Sequence, residues 1–261
     1  MVVADLLVSV TRLAREAGYA TMAHYDGAVP AGVRLKEDSS PVTLADEEAH
    51  GVLLEGLGRL DPETPVISEE AEAPPFEVRR TWRRFWLVDP LDGTKEFIKR
   101  RAEFTVNVAL IEDGEPVLGV IVAPALDLVY WAAKGTGSWR QEKSDPPERI
   151  YSRVAVPGAP LTVVESLSHP SAELEEYLRK LPVARRVKAG SSLKFCWVAD
   201  GRADIYPRLG PTMEWDVAAG DCIYRQSGRH GERASPLTYN KPELRNPSFV
   251  IGDDGSGCHV I

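Results

Sequence analysis

Four bulky apolar residues, Phe85-Trp86-Leu87-Val88, run directly into Asp89-Pro90-Leu91-Asp92-Gly93. The apolar run predicts a buried strand, and the Pro and Gly that follow predict a tight turn at its end. Any fold of this chain must therefore bring two carboxylates, Asp89 and Asp92, close together where a buried strand stops. Two unit charges about 4 Å apart repel by roughly 4 kcal/mol at an effective dielectric near 20. That is a large share of the roughly 5–15 kcal/mol that keeps a domain folded, so a positive charge is needed there. The next residues, Thr94 to Arg100, read as a helix with Thr94 as its cap and the N–H groups of Gly93, Thr94 and Lys95 pointing outward. Such an end suits a phosphate. Hard oxygen ligands beside an anion-attracting terminus are what metal-assisted phosphate chemistry requires. The same residues would also make a good surface turn, in which Asp side chains bond local N–H groups and Gly supplies a positive φ.

Helical periodicity covers roughly 4–25 and again 43–57, where TLADEEAHGVLLEGL opens on a Thr and an acidic first turn. Strand-like runs follow at 64–68, 84–88, 104–111, 117–123 and 128–133, the last three separated by short turns as in an antiparallel meander. The first half therefore reads as helices packed on a largely antiparallel sheet, an α+β arrangement. Between about 140 and 160 the composition turns rich in Pro and charge, which marks the best boundary and divides the chain into 1–150 and 151–261. Beyond it LTVVES, SAELEEYLRKL, ARRVKAG, SSLKFCWVAD, ADIYPR and WDVAAGDCIYRQSG alternate strand and helix, the α/β pattern.

Several functions are excluded or weakened by composition. A net charge of −8 with no concentrated basic stripe argues against a nucleic-acid polymer as partner. The one basic and aromatic stretch, RRTWRRFW at 79–86, reads as a solvated loop leading into a strand. A small anion remains open as a ligand if cations mediate the contact. No apolar run approaches the roughly 20 residues of a transmembrane helix, and the N-terminus lacks a signal-peptide pattern, so a cytoplasmic setting is expected. Loose attachment to the inner membrane, and the oligomeric state, stay open. Three widely spaced cysteines, Cys196, Cys222 and Cys258, argue against a disulfide framework or a Cys-based zinc site.

Further acids stand where strands end or helices begin. TPVISEE delivers Glu69 and Glu70 as FWLV delivers Asp89; SSPVTLADEEAH puts Asp46 in a first helical turn; MEWDVAAGD puts Asp216 before a run of small residues. Singly, Asp46 and Asp216 read equally as capping acids and Glu69-Glu70 as a solvated turn.

In combination, the succession PVTLAD, ISEE, DPLDGT and WDVAAG resembles the inositol monophosphatase superfamily of metal-dependent, lithium-sensitive phosphatases. VDPLDGTKEFI, GSSLKFC, YPRLGPT and WDVAAGD resemble its 3′(2′),5′-bisphosphate nucleotidase branch, of the bacterial CysQ type, more than the inositol or fructose-bisphosphate branches. The resemblance implies a layered α-β-α-β-α sandwich in which the two halves are lobes of one unit with the site between them. It implies two to three magnesium ions, held by Glu69, Asp89, the Leu91 carbonyl, Asp92 and Asp216, with Asp89 bridging two of them. It further implies that a magnesium-activated water attacks phosphorus in line. Thr94 paired with Asp46 would accept the proton, and Glu69 would help to orient the water. Gly93 and Thr94 amides would bind the phosphate, while His169, Ser191, Lys194, Arg208 and Asp216 would lie near the nucleotide. The implied reaction removes the 3′-phosphate of adenosine 3′,5′-bisphosphate. An inositol monophosphatase is the alternative within the superfamily, and an inactive nucleotide or metal sensor the alternative outside catalysis. From the residues alone, Lys194 could equally be a snorkelling helix residue and His169 an ordinary loop histidine. The charged stretch QSGRHGERASPL departs from the glycine-rich pattern of the superfamily at that point, which puts contacts from 227–236 in doubt.

Overall fold

The computed structural model describes residues 3–27, 34–35, 41–154, 156–168 and 171–253. Its larger sheet has seven strands in the order Val66–Ser68, Arg84–Asp92, Thr105–Glu112, Glu115–Ala123, Leu128–Ala133, Gly137–Glu142 and Glu148–Ile150. The first pair is parallel and the other neighbours are antiparallel. The meander is therefore present as expected, extended by two strands at the edge. A second sheet of four strands runs in the order Val183–Ala189, Leu161–Ser166, Ile205–Arg208 and Phe249–Gly252. Its first three strands are mutually parallel, and the last is antiparallel.

Side-chain alternation explains how the layers stack. Along Arg84–Asp92, Trp86 and Val88 pack with helices Val3–Tyr25 and Leu44–Leu60 in one hydrophobic cluster. Phe85 and Leu87 point the other way, into a cluster with helices Leu193–Ala199 and Glu214–Arg225 and with Tyr206, Phe249 and Ile251 of the second sheet. A strand buried on both faces needs no polar alternation, which is why FWLV is continuous. Helix Ala172–Leu178 covers the outer face of the second sheet through Leu174 and Leu178 against Leu161, Val163 and Ile205. The order is helices, sheet, helices, sheet, helix, the layered mixed α/β sandwich expected from the motifs.

A Cβ on Gly220 would lie 2.5 Å from the Phe195 ring, so a small residue there lets helices Glu214–Arg225 and Leu193–Ala199 pack closely side by side in the middle layer. In RRTWRRFW, Arg79 ends a short helix, Phe76–Arg79, residues 80–83 form the expected, mostly exposed loop, and Arg84 opens the strand. Arg79 is buried and donates to Asn240 Oδ1 and the Pro242 carbonyl, Arg83 pairs with Asp113, and Arg84 pairs with Asp61 and Glu112. Cys196 and Cys222 are buried and free, and Cys258 lies outside the described residues. No helix among the described residues is long and apolar enough to cross a membrane.

Candidate active site

Strand register brings the acids together. Ser68 lies beside Val88 in the parallel pair, and the Glu69 amide donates to the Val88 carbonyl at 3.2 Å, so Glu69 emerges next to Asp89. Asp89 continues the alternation of Phe85 and Leu87 and therefore faces the middle helical layer. Helix Glu214–Arg225 in that layer supplies Asp216 from its first turn. Carboxylate oxygens of Glu69, Asp89 and Asp216 lie within 4.8 Å of one another.

The strand does not stop at Asp89, as the Pro and Gly suggested. Asp89 pairs with Asn107 and Asp92 with Thr105, so one strand advances three residues while its partner advances two. The extra residue is a β-bulge, a device that re-aims side chains at strand ends. It turns Asp89 and Asp92 toward one cleft, while the Leu91 amide donates to Asp89 Oδ1 at 3.0 Å. Gly93, with φ of 92°, then reverses the chain, and a Cβ there would sit 2.2 Å from Ser191 Oγ. Thr94 is the first residue of helix Thr94–Ile98, not its cap; Gly93 holds that position. With five residues the helix has little macrodipole, and what it offers an anion is its unshared first-turn N–H groups.

Asp216 proves to be a capping acid and a cleft acid at once, while Asp46 is a buried capping acid that reaches the cleft through Thr94. Each is the third residue of its helix and accepts from the backbone N–H of the cap, Asp46 Oδ2 from Thr43 at 2.7 Å and Asp216 Oδ2 from Met213 at 2.8 Å. Thr43 Oγ1 also donates to Asp46 Oδ2, at 2.6 Å, so Oδ1 is the oxygen that meets Thr94 Oγ1 at 3.4 Å.

A cleft of about 200 Å³ is lined by Glu69, Asp92, Gly93, Thr94 and Asp216 together with Ser191, Lys194 and Arg208. Lys194 is buried and does not snorkel. Its ammonium donates to the Ser191 carbonyl, sits 5.6 Å from the Tyr206 ring centroid, and is brought down to about 8, first by burial. Arg208 donates to the Pro211 carbonyl at 3.0 Å, and its Nε is buried without a protein partner. Ser191 Oγ is held between the Asp92 and Glu103 carbonyls at 2.8 and 2.9 Å. His169 lies outside the described residues. Residues 227–236 do not line the cleft; Arg229 stacks on Tyr151, and Arg233 pairs with Asp253. Ser192, Phe195, Tyr206 and Thr212 also line the cleft; the first two fall within GSSLKFC and the last two within YPRLGPT, although the resemblance implied no role for any of the four.

Electrostatics identify what the acidic cluster lacks. Burial pushes Asp89 well above the usual carboxylate range, and the Glu69, Asp92 and Asp216 charges push it further. Asp216 is raised first by burial and then by Asp92 and Glu69; Asp92 and Asp46 are raised by burial. Asp89 Oδ2 is buried with no hydrogen-bond partner. An orphaned carboxylate oxygen within an all-oxygen donor set fits a hard cation.

The pH dependence follows in sign. In metal-free protein these folded carboxyls keep protons that the unfolded chain releases above its ordinary carboxylate range. Stability conferred by the cluster therefore falls as pH rises from that range through the raised native values. Metal-free protein is expected to gain less melting temperature between pH 5 and 8 than Asp89→Asn, which removes one of the acids raised well above the usual range. Parallel melting curves for the two proteins across that range would contradict the assignment.

The inositol monophosphatase family model matches residues 4–246. The chain belongs to this family. The family is metal-dependent, in keeping with the acidic cluster. The 3′(2′),5′-bisphosphate nucleotidase CysQ of Salmonella typhimurium is 52% identical over 249 residues, covering 94% of this chain and 99% of that protein. The crystal structure of CysQ from Bacteroides thetaiotaomicron superposes with a TM-score of 0.80 at 36% identity, covering 96% of this chain and 97% of the other. The Thermotoga maritima IMPase superposes with a TM-score of 0.72 at 26% identity, over 86% and 84% of the two chains.

Proposed function

We propose that the chain is a magnesium-dependent phosphatase that removes the 3′-phosphate of adenosine 3′,5′-bisphosphate, giving AMP and phosphate. The observation that carries this reading is the polarity of the cleft. A carboxylate cluster that fits cations shares the cleft with two cationic side chains, the buried Lys194 and Arg208, as a substrate with more than one phosphate requires. The curated relatives named as bisphosphate nucleotidases support it. A single-phosphate polyol would leave Lys194 and Arg208 without a second phosphate to meet, which disfavours the inositol reading.

Glu69, Asp89, the Leu91 carbonyl, Asp92 and Asp216 would hold two to three magnesium ions. When bound, these would neutralise phosphoryl charge and lower the pKa of water. The protein's own part is positioning and proton transfer. Asp46 Oδ2 is committed to Thr43, so Oδ1 takes the Thr94 proton while Thr94 Oγ1 accepts one from the attacking water. The raised affinity of Asp46 for a proton suits it to this role near neutral pH. Glu69 helps to orient that water. First-turn N–H groups at Gly93 and Thr94 receive phosphate oxygens. Ser191 shapes the wall that Gly93 turns against, and Lys194 and Arg208 bind the phosphate that does not react.

Replacing Arg208 tests whether the cationic side chains meet the second phosphate. Removing a charge-assisted hydrogen bond costs roughly 1.5–3 kcal/mol, or about ten- to a hundredfold in kcat/KM. Arg208→Ala is expected to lose that much with adenosine 3′,5′-bisphosphate and much less with 3′-AMP, at an unchanged magnesium requirement. Equal losses on the two substrates would mean that Arg208 supports the fold and not the second phosphate.

A further inference from the structure

We propose that Ser192 and Asn107 form a positioning pair that presets the Asp92 carboxylate for its cation. The proposal rests on the reading of the carboxylate cluster as a cation site. Asn107 lies directly opposite Asp89 in the antiparallel register, so the two side chains leave the same face of the sheet. Its Nδ2 donates to Ser192 Oγ at 2.7 Å and lies 3.5 Å from Asp92 Oδ2. Ser192 Oγ in turn lies 2.8 Å from Asp92 Oδ2 and 2.9 Å from the Asp216 carbonyl.

Proton counting decides how this junction is wired. A serine hydroxyl has one proton to give. With the Asn107 amide donating to Ser192 Oγ, that proton goes to the stronger acceptor, the Asp92 carboxylate, in a charge-assisted bond. Both donors then collect on Oδ2, which leaves Oδ1 as the oxygen that faces a cation. Ser192 and Asn107 are 2% and 1% exposed, so water does not substitute for either donor. The junction also joins strand Thr105–Glu112 and the bulged end of Arg84–Asp92 to the residue that precedes helix Leu193–Ala199. Fixing a ligating carboxylate through its outer oxygen saves the reorganisation that binding would otherwise require, and partners of this kind typically govern about ten- to a hundredfold in metal affinity.

Calorimetric titration of magnesium chloride into metal-free wild type, Ser192→Ala and Asn107→Ala tests the pair without reference to turnover, and melting of each protein without metal separates positioning from folding. Both variants are expected to bind magnesium about ten- to a hundredfold more weakly. The double variant should be little worse than the weaker single one, since each single change breaks the same relay. Magnesium affinity equal to wild type in both, with only the metal-free melting temperature lowered, would reduce the pair to packing and overturn the proposal. Should Ser192→Ala fail to fold, Asn107→Ala, which leaves the hydroxyl in place, carries the comparison alone. Wild-type protein that takes up no magnesium would instead overturn the cation reading itself, and the proposal with it.

Discussion

Asp89→Asn is expected to abolish turnover, with a loss of at least about two to three orders of magnitude at saturating magnesium. Asp89 sits where three other acids converge, and one of its oxygens is buried with no partner. An amide of the same shape can still accept the Leu91 N–H bond at 3.0 Å, so the bulge should survive. What it cannot supply is a charged oxygen shared between two cations. The variant should also fold at least as firmly as wild type in the absence of metal, because a like charge has been removed from a buried cluster. That opposite pair of effects distinguishes a lost ligand from a damaged fold. Retention of more than about a tenth of wild-type turnover would mean that Asp89 does not bridge.

Thr94→Ala is expected to retain magnesium binding and lose about two orders of magnitude or more in turnover, the range for a positioned proton acceptor. Gly93 holds the cap of the short helix, so removing the Thr94 hydroxyl leaves the capping geometry untouched. Asp46 likewise keeps both of its Thr43 bonds and loses only the contact at Oδ1. Thr94→Ser should recover most of the rate because it restores the hydroxyl. Magnesium titrations and single-turnover measurements on the same preparations check both halves. Weakened magnesium binding with an unchanged rate at saturation would make Thr94 a structural residue of the turn.

Legibility from the sequence varied with how locally each feature is determined. Helices Val3–Tyr25 and Leu44–Leu60 and the central meander are written in periodicity, because one face or one strand at a time meets the core. Strand Gly137–Glu142 is not: it ends in Trp139-Arg140-Gln141-Glu142, half-buried near the sheet edge, and its polar composition reads as linker. The strand continuing through Asp89-Pro90-Leu91-Asp92 is hidden for a different reason. Turn-forming residues are what a bulge uses, and only the pairing partner at Asn107 and Thr105 separates a bulge from a turn.

The site shows the same division. Asp46, Glu69, Asp89, Asp92 and Asp216 each stand at the end of an element that periodicity locates, and their motifs group them. Asp46 and Asp216 could be read as caps or as site acids because each does both: Asp216 caps its helix and lines the cleft, and Asp46 caps with one oxygen and meets the cleft residue Thr94 with the other. Asn107 gives a faint signal, an amide within the apolar run FTVNVALI, but its partner Ser192 lies 85 residues away, and the bond between them arises only in the assembled fold.

Phosphate release from adenosine 3′,5′-bisphosphate by the purified wild-type protein, measured beside inositol 1-phosphate with magnesium and again with chelator, bears most directly on the account. The account predicts rapid, magnesium-dependent release from the bisphosphate with AMP as the organic product, and kcat/KM for inositol 1-phosphate lower by at least about tenfold, the smallest effect expected of an unmet charge-assisted contact with the cationic side chains of the cleft. Comparable rates on the two substrates, or release from the bisphosphate that persists in chelator, would contradict it.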